Sequence, residues 1–454
     1  MAVARTEVSA NINSHKVSQL QILVLVLCAA ATAIEGFDAQ NIGYVAPAII
    51  RDWQLAPHQF TVVFVAGLFG LLLGCLCIAP LADWVGRKRI MVGTLLACGV
   101  FSLASAWSQS LLSLSVLRFL TDLGLGGGMA NAIAMTSEYF PTRMRSWMTV
   151  VMFCGFPLGA SLGGLAAATL IPAYGWNAIF VLGGVLPLIL GATLLLLLPN
   201  SIRHLVVTGA DIDGVAAILR RIDHTAAFPR DTQFYAAEQQ MPGLTVSHLM
   251  RDGRALATIL IWTVFFMSLF DIFLLTSWLP VVPHGDGYSI SASAIASAAL
   301  QGSGVVGSLA VGPMLDRRGC LSVMLPLYFL GALGIASIGL LERDFALVLF
   351  ASCAAGFGVV SGQNCANAFA ANFYPTYIRA TGVGWALGIG RIGAIVGPSI
   401  GGAMLALHFN IAEIFSVGAV ASLIAVLAVL ALFGPCERQR ASCKTASARA
   451  GKLR

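Results

Sequence analysis

Charge is scarce in this chain. Only 10% of its 454 residues are Asp, Glu, Lys or Arg, too little polar surface to clothe a water-soluble domain of that length. The 20 acidic residues and seven histidines are scattered. They offer no nucleophile and base set and no metal-ligand spacing, which argues against an enzyme and against a metal site. The ten cysteines form no framework. Most lie in apolar runs, Cys320, Cys436 and Cys443 lie beside basic segments, and Cys75 and Cys77 point to different helix faces, so free thiols are expected.

What the chain has instead is length of apolar sequence. Hydrophobic residues make up 58% and the mean hydropathy is +0.86. A membrane span needs about 20 mostly apolar residues, and twelve such runs are legible: 20–46, 59–81, 89–107, 111–138, 146–170, 176–198, 256–280, 291–315, 321–341, 346–371, 377–405 and 411–434. They are called spans 1 to 12 below. The expected fold class is an all-α membrane protein of two six-helix bundles. Residues 1–19 form an N-terminal segment, 20–198 the first bundle, 199–255 a polar linker, 256–434 the second bundle and 435–454 a basic tail.

Basic residues orient this array. Within the spans lie Arg118 and Arg391, and on one side lie Arg51 and Arg343; every other Lys and Arg falls on the side of the two termini and the linker. Positive charge gathers on the cytoplasmic face, so both termini are expected there. The net charge of +6 is then explained by topology, and nucleic acid is not needed as a partner. Lys16, the apolar run from Leu20 and Ala31-Thr32-Ala33 together look like a secretory signal. Cleavage would leave eleven spans, so retention is the better reading.

The chain also repeats itself. Tyr139-Phe140-Pro141-Thr142-Arg143-Met144-Arg145 is echoed by Phe373-Tyr374-Pro375-Thr376-Tyr377-Ile378-Arg379, an offset of 373 − 139 = 234. Pro80-Leu81-Ala82-Asp83 is echoed by Pro313-Met314-Leu315-Asp316, an offset of 316 − 83 = 233. Two unrelated motifs at nearly one spacing mean a duplicated half. In so apolar a chain, duplication points to a carrier whose halves rock about a central site.

The segment Asp83-Trp84-Val85-Gly86-Arg87-Lys88-Arg89, with its companion Asp316-Arg317-Arg318-Gly319, has the makings of a conformational latch. Gly86 permits a tight turn and the acid can meet a cation or a helix N-terminus. Here the chain resembles the major facilitator superfamily, whose loop between spans 2 and 3 carries a Gly-x-x-x-Asp-Arg/Lys-x-Gly-Arg-Lys signature. Ala79 and Trp84 depart from that pattern. Asp83, Gly86, Arg87, Lys88, Asp316 and Arg317 are the latch candidates, with Glu138 and Arg379 from the duplicated motif.

Glu35-Gly36-Phe37-Asp38, Arg118-Phe119-Leu120-Thr121, Thr136-Ser137-Glu138-Tyr139 and Arg379-Ala380-Thr381-Gly382 with Gly390-Arg391-Ile392-Gly393 together resemble the aromatic acid:proton symporter family. The resemblance implies a bacterial cell-membrane protein importing a benzoate, hydroxybenzoate, gentisate or phenylpropionate type of acid with protons. Two positions depart from it: Glu35 replaces the usual aspartate, and Asp122 stands where glycine is usual.

The residues make a compatible case by themselves. Ionisable groups in spans are costly and mark pathways by default. Glu35 and Asp38, three residues apart, share a face of span 1 and are expected to titrate jointly as a proton site; Asp271 in span 7 is a further acid or a partner for a cation. An aromatic carboxylate needs a counter-charge, and Arg391 near the middle of span 11 is the first candidate. For Arg118, an ion pair with Asp122 and a substrate contact are both open. Phe37, Trp278 and Trp385 are candidate stacking surfaces, though helix packing accounts for each alone.

Gly124, Gly126, Gly127 and Gly128 lie inside an apolar helix with no preceding strand, so they read as close packing and not as a phosphate loop. The expectation is thus a proton-coupled importer of an aromatic carboxylate, monomeric in function, with no cofactor beyond the proton as coupling ion. Carriage of another organic anion, aromatic efflux and a non-transporting membrane sensor are the alternatives.

Overall fold

The computed structural model describes residues 5–7, 12–13, 17–208, 212–223, 233–235, 247–251, 254–281, 289–340, 344–374 and 379–451. Twelve helices in it are long and apolar enough to cross a membrane, each overlapping one of the expected spans. In hydrocarbon every backbone N–H and C=O must be satisfied within its own segment, which leaves helices as the solution for such runs. The same constraint explains why Pro47, Pro80, Pro172, Pro187, Pro326 and Pro398 are tolerated inside helices. Span 4 is built from two helices, Leu111–Gly126 and Gly128–Tyr139, that meet at Gly127. Span 5 is likewise interrupted at Cys154. A short parallel ladder, Arg5–Glu7 with Gln233–Tyr235, is the one sheet among the described residues.

The chain divides into two compact units, residues 1–240 with 289–298, and residues 241–288 with 299–454. In the first, span 1 begins with a capping box in which the Ser18 N–H donates to Gln21 Oε1 at 2.7 Å. The Gln21 amide nitrogen then donates to the carbonyl of Tyr139 at the end of span 4. The polar stretch after span 6 is not a free tether at its start. Short helices Ile202–Thr208 and Ile212–Ile222 bury Ile202, Leu205, Val215, Ile218, Leu219 and Ile222 in one apolar cluster with residues of spans 1, 3 and 4. The sequence there is amphipathic, with Arg220 and Arg221 completing its last turn.

Duplication is visible in the helix packing. A Cβ on Gly159 of span 5 would strike the carbonyl of Ala33 in span 1, and one on Gly393 of span 11 would strike the carbonyl of Phe266 in span 7. One turn further, Gly163 faces the ring of Phe37, and Gly397 faces the backbone of Phe270. The offsets, 393 − 159 = 234 and 266 − 33 = 233, are those of the sequence motifs. Each unit therefore has the same backbone-to-backbone crossing, spans 1 and 5 in one and spans 7 and 11 in the other, made possible by residues without side chains.

Close approach of this kind predicts a sharp size limit. Gly159→Val and Gly393→Val should each cost about 1–3 kcal/mol, the usual penalty of overpacking, read as a lower midpoint of thermal unfolding in detergent. Gly93→Val, at a position with nothing within 4 Å, should leave that midpoint in place.

Candidate functional site

The charged centre of the first unit is Arg118. It is fully buried, and so is Asp38. Arg118 Nη1 donates to Asp38 Oδ1 at 3.1 Å and Nη2 donates to Asp38 Oδ2 at 3.0 Å, the two-pronged geometry that a planar guanidinium offers a carboxylate. Nη2 also donates to the Asp38 backbone carbonyl at 3.1 Å and to Asp122 Oδ1 at 2.9 Å. Asp122 lies one turn after Arg118, as the i,i+4 spacing requires.

Three more spans close around Asp38. Asn41, on the same face of span 1, donates its amide to Asp38 Oδ1 at 3.1 Å. Ser102 of span 3 lies 3.4 Å from both Asp38 Oδ1 and the carbonyl of Phe180 in span 6, one acceptor at a time for its single proton. Asp122 turns its other oxygen towards Gly67 of span 2, where a Cβ would strike it. The site is thus assembled from spans 1, 2, 3, 4 and 6 within one unit. Charges removed from water require such partners, because an unpaired ion there costs several kcal/mol.

Glu35 is buried in a different setting. It lines a cavity of about 10 Å³, room for roughly one water, with Thr32, Thr94, Leu95, Gly128 and Met129 among its walls. The expected joint pair of Glu35 and Asp38 is therefore resolved into two environments. Asp38 is engaged by Arg118, in company with Asp122, while Glu35 faces the cavity next to span 4. Three residues turn a helix by about 300°, so the two side chains point about 60° apart.

In the second unit Asp271 is fully buried, and Ser422 of span 12 donates to its Oδ2 at 2.6 Å. Its Oδ1 has no hydrogen-bond partner among the described residues. The repeat offset makes Asp271 the counterpart of Asp38, since 271 − 38 = 233. The counterpart of Arg118 is Ser352, 352 − 118 = 234, so the duplicated acid is kept and the duplicated cation is not.

The remaining candidates separate by environment. Arg391 is half-buried on span 11. Trp385, on the same helix and exposed, stacks on Trp262 of span 7 with ring centroids 5.9 Å apart. Trp278 is fully buried and donates its indole N–H to the Pro398 carbonyl at 3.0 Å. Phe37 packs against Gly163 and Gly183. Trp278 and Phe37, read in the sequence as possible stacking surfaces, thus lie against neighbouring spans in this structure.

At the end of span 4, Glu138 pairs with Arg87 at the start of span 3 and accepts from the Ser201 hydroxyl at 2.7 Å. Gly86 just before Arg87 has φ +101°, a backbone angle that favours glycine. Lys88 is partly buried in the same first turn. The side chains of Asp83, Asp316, Arg317 and Arg379 fall outside the described residues. Asn41, Ser102, Ser201 and Ser422 were not singled out in the sequence; only Asn41, one helical turn from Asp38, carried a local signal. The described cysteines are all free thiols, and no metal-ligand group occurs among the described residues.

Comparison with known proteins agrees with this architecture. The family model of the Major Facilitator Superfamily matches residues 28–398. A gallate transporter of Pseudomonas putida is 38% identical over 421 residues, 92% of this chain and 93% of that protein. The 4-hydroxybenzoate transporter PcaK of Pseudomonas aeruginosa is 38% identical over 94% of this chain and 96% of its own. The 3-(3-hydroxy-phenyl)propionate transporter of Escherichia coli is 34% identical over 90% and 94%. A solved structure of a bacterial homologue of the human lysosomal transporter Spinster superposes with a TM-score of 0.61 at 17% identity, covering 92% of this chain and 95% of the other. The chain belongs to the Major Facilitator Superfamily, a multi-pass membrane transporter and not an enzyme, related to its aromatic-acid transporters.

Proposed function

We propose that this protein imports an aromatic carboxylate of the benzoate, hydroxybenzoate, gentisate or phenylpropionate type together with protons, as a monomeric unit in the cell membrane with both termini cytoplasmic. One observation carries the reading. Buried acids and two arginines lie inside the spans of a chain whose relatives are named for gallate, 4-hydroxybenzoate and a hydroxyphenylpropionate, each an aromatic ring bearing a carboxylate.

Each group takes a role suited to its surroundings. The substrate carboxylate is assigned to Arg391, near the middle of span 11, whose planar guanidinium suits a carboxylate. Trp385, six residues earlier on the same span, offers an exposed ring for the aromatic body. Glu35, Asp38 and Asp271 are the proton-coupling acids. Protonating Asp38 removes the charge that Arg118 answers and loosens the grip of span 1 on span 4. Binding of anion and proton together brings no net charge into the low-dielectric spans, which favours the change of access. Glu138 with Arg87 serves as the latch that must open and reform in each cycle.

Purified protein in vesicles with an inside-alkaline gradient should accumulate labelled 4-hydroxybenzoate, and a protonophore should abolish the accumulation. Uptake that ignores the gradient, or movement only outward, would replace this reading with another anion carrier or an efflux carrier.

Two variants test the assignments. Arg391→Ala removes charge-assisted hydrogen bonds worth about 1.5–3 kcal/mol, so KM should rise by roughly 10- to 100-fold; unchanged kinetics would exclude it from the site. Asp38→Asn should end uphill accumulation, and wild-type accumulation by that variant would remove Asp38 from coupling.

A further inference from the structure

The first unit places two carboxylates on one guanidinium. Asp38 Oδ2 and Asp122 Oδ1 both accept from the same nitrogen, Arg118 Nη2, at 3.0 and 2.9 Å. Arg118 and Asp38 are fully buried and Asp122 nearly so. With all three ionised the group carries a net negative charge away from water. Two carboxylates held on one guanidinium away from water do not both ionise readily.

Among the described residues, no second cation contacts the triad. Span 1 presents Asn41 and, towards the cavity, Glu35; span 2 presents Gly67; span 3 presents Cys98 and Ser102; span 6 presents the Phe180 carbonyl. None of these is a base that can balance Asp122.

Packing shows that Asp122 is accommodated by design of the crossing and not squeezed into it. In the second unit the equivalent crossing, spans 8 and 10, has glycine on span 10: a Cβ on Gly356 would strike the Leu300 carbonyl. Gly356 is the counterpart of Asp122, 356 − 122 = 234, and Leu300 that of Gly67, 300 − 67 = 233. In the first unit the glycine has changed sides. Gly67 of span 2 vacates the space that the Asp122 carboxylate fills. The acid and its pocket come as a pair, in the half that has an arginine at position 118, where the other half has Ser352.

We propose that Asp38 and Asp122 share a single exchangeable proton over Arg118, making this triad a proton-binding unit of the first half. The step is a simple protonation: a proton from water forms one O–H bond on the carboxyl pair, the net charge of the triad goes from minus one to zero, and nothing is oxidised or reduced. The proposal rests on the proton-coupled reading above in naming which acids carry the coupled proton, and its binding part stands apart from that reading.

Infrared difference spectra of full-length protein in lipid nanodiscs, recorded across a pH titration, test it. Wild type should show a carboxylic-acid C=O band that appears on acidification and shifts in D2O. Asp38→Asn and Asp122→Asn should each lose that same band, because either leaves one carboxylate matched to one arginine. Glu35→Gln and Asp271→Asn should keep it. Asp122→Gly, which removes bulk as well as charge, stands in if the amide disturbs folding. A band that survives in either dyad variant, or vanishes in Glu35→Gln or Asp271→Asn alone, overturns the shared proton. In vesicles, Asp122→Asn should cut gradient-driven accumulation at least tenfold. If wild type itself shows no gradient dependence, the coupling reading falls while the infrared spectra still decide the dyad.

Discussion

A guanidinium that cannot shed its proton, held away from water, is the constraint around which the first unit is organised. Arg118 can be buried only if carboxylates come to meet it, and the two that do arrive from different directions: Asp122 from its own helix and Asp38 from span 1. Fixing Asp38 fixes the rotation of span 1. That rotation in turn presents Phe37 to Gly163 and Glu35 to the cavity beside Gly128. A single ion cluster thus sets the register in which the surrounding helices pack.

The second unit shows what the same scaffold does without the cation. Spans 7 and 11 cross through Gly393 and Gly397 as spans 1 and 5 cross through Gly159 and Gly163. Asp271 occupies the place of Asp38, yet a serine from span 12 is its partner and not an arginine. Duplication preserved the backbone geometry, where a Cβ would collide with a carbonyl, and released the polar chemistry, which one substitution can change. The buried acid is thus kept in both halves, while its arginine partner is found in the first.

The end of span 4 links this interior to the polar stretch that follows span 6. Glu138 pairs with Arg87 and receives the Ser201 hydroxyl, while Tyr139 donates its hydroxyl to the Asn200 carbonyl at 2.6 Å. The apolar faces of the next two short helices then lie on the same cluster. A change in the packing of span 4 is felt at both places, because Arg118 and Glu138 lie on one span interrupted only at Gly127.

Sequence by itself determined the membrane class, the twelve spans, the duplication and the short set of ionisable residues inside the spans. These follow from local quantities: run length, hydropathy and spacing. It also marked Asp122 as able to reach Arg118, since four residues along a helix bring two side chains together. Only tertiary structure decided that Asp38 joins Arg118 and leaves Glu35 to a separate cavity, that Ser422 answers Asp271, and that Trp278 gives its N–H to Pro398. Contacts between spans depend on how far each helix is rotated and how closely two backbones approach. Spacing along the chain does not encode those quantities; the glycines that permit the approach and the buried charges that demand partners set them together.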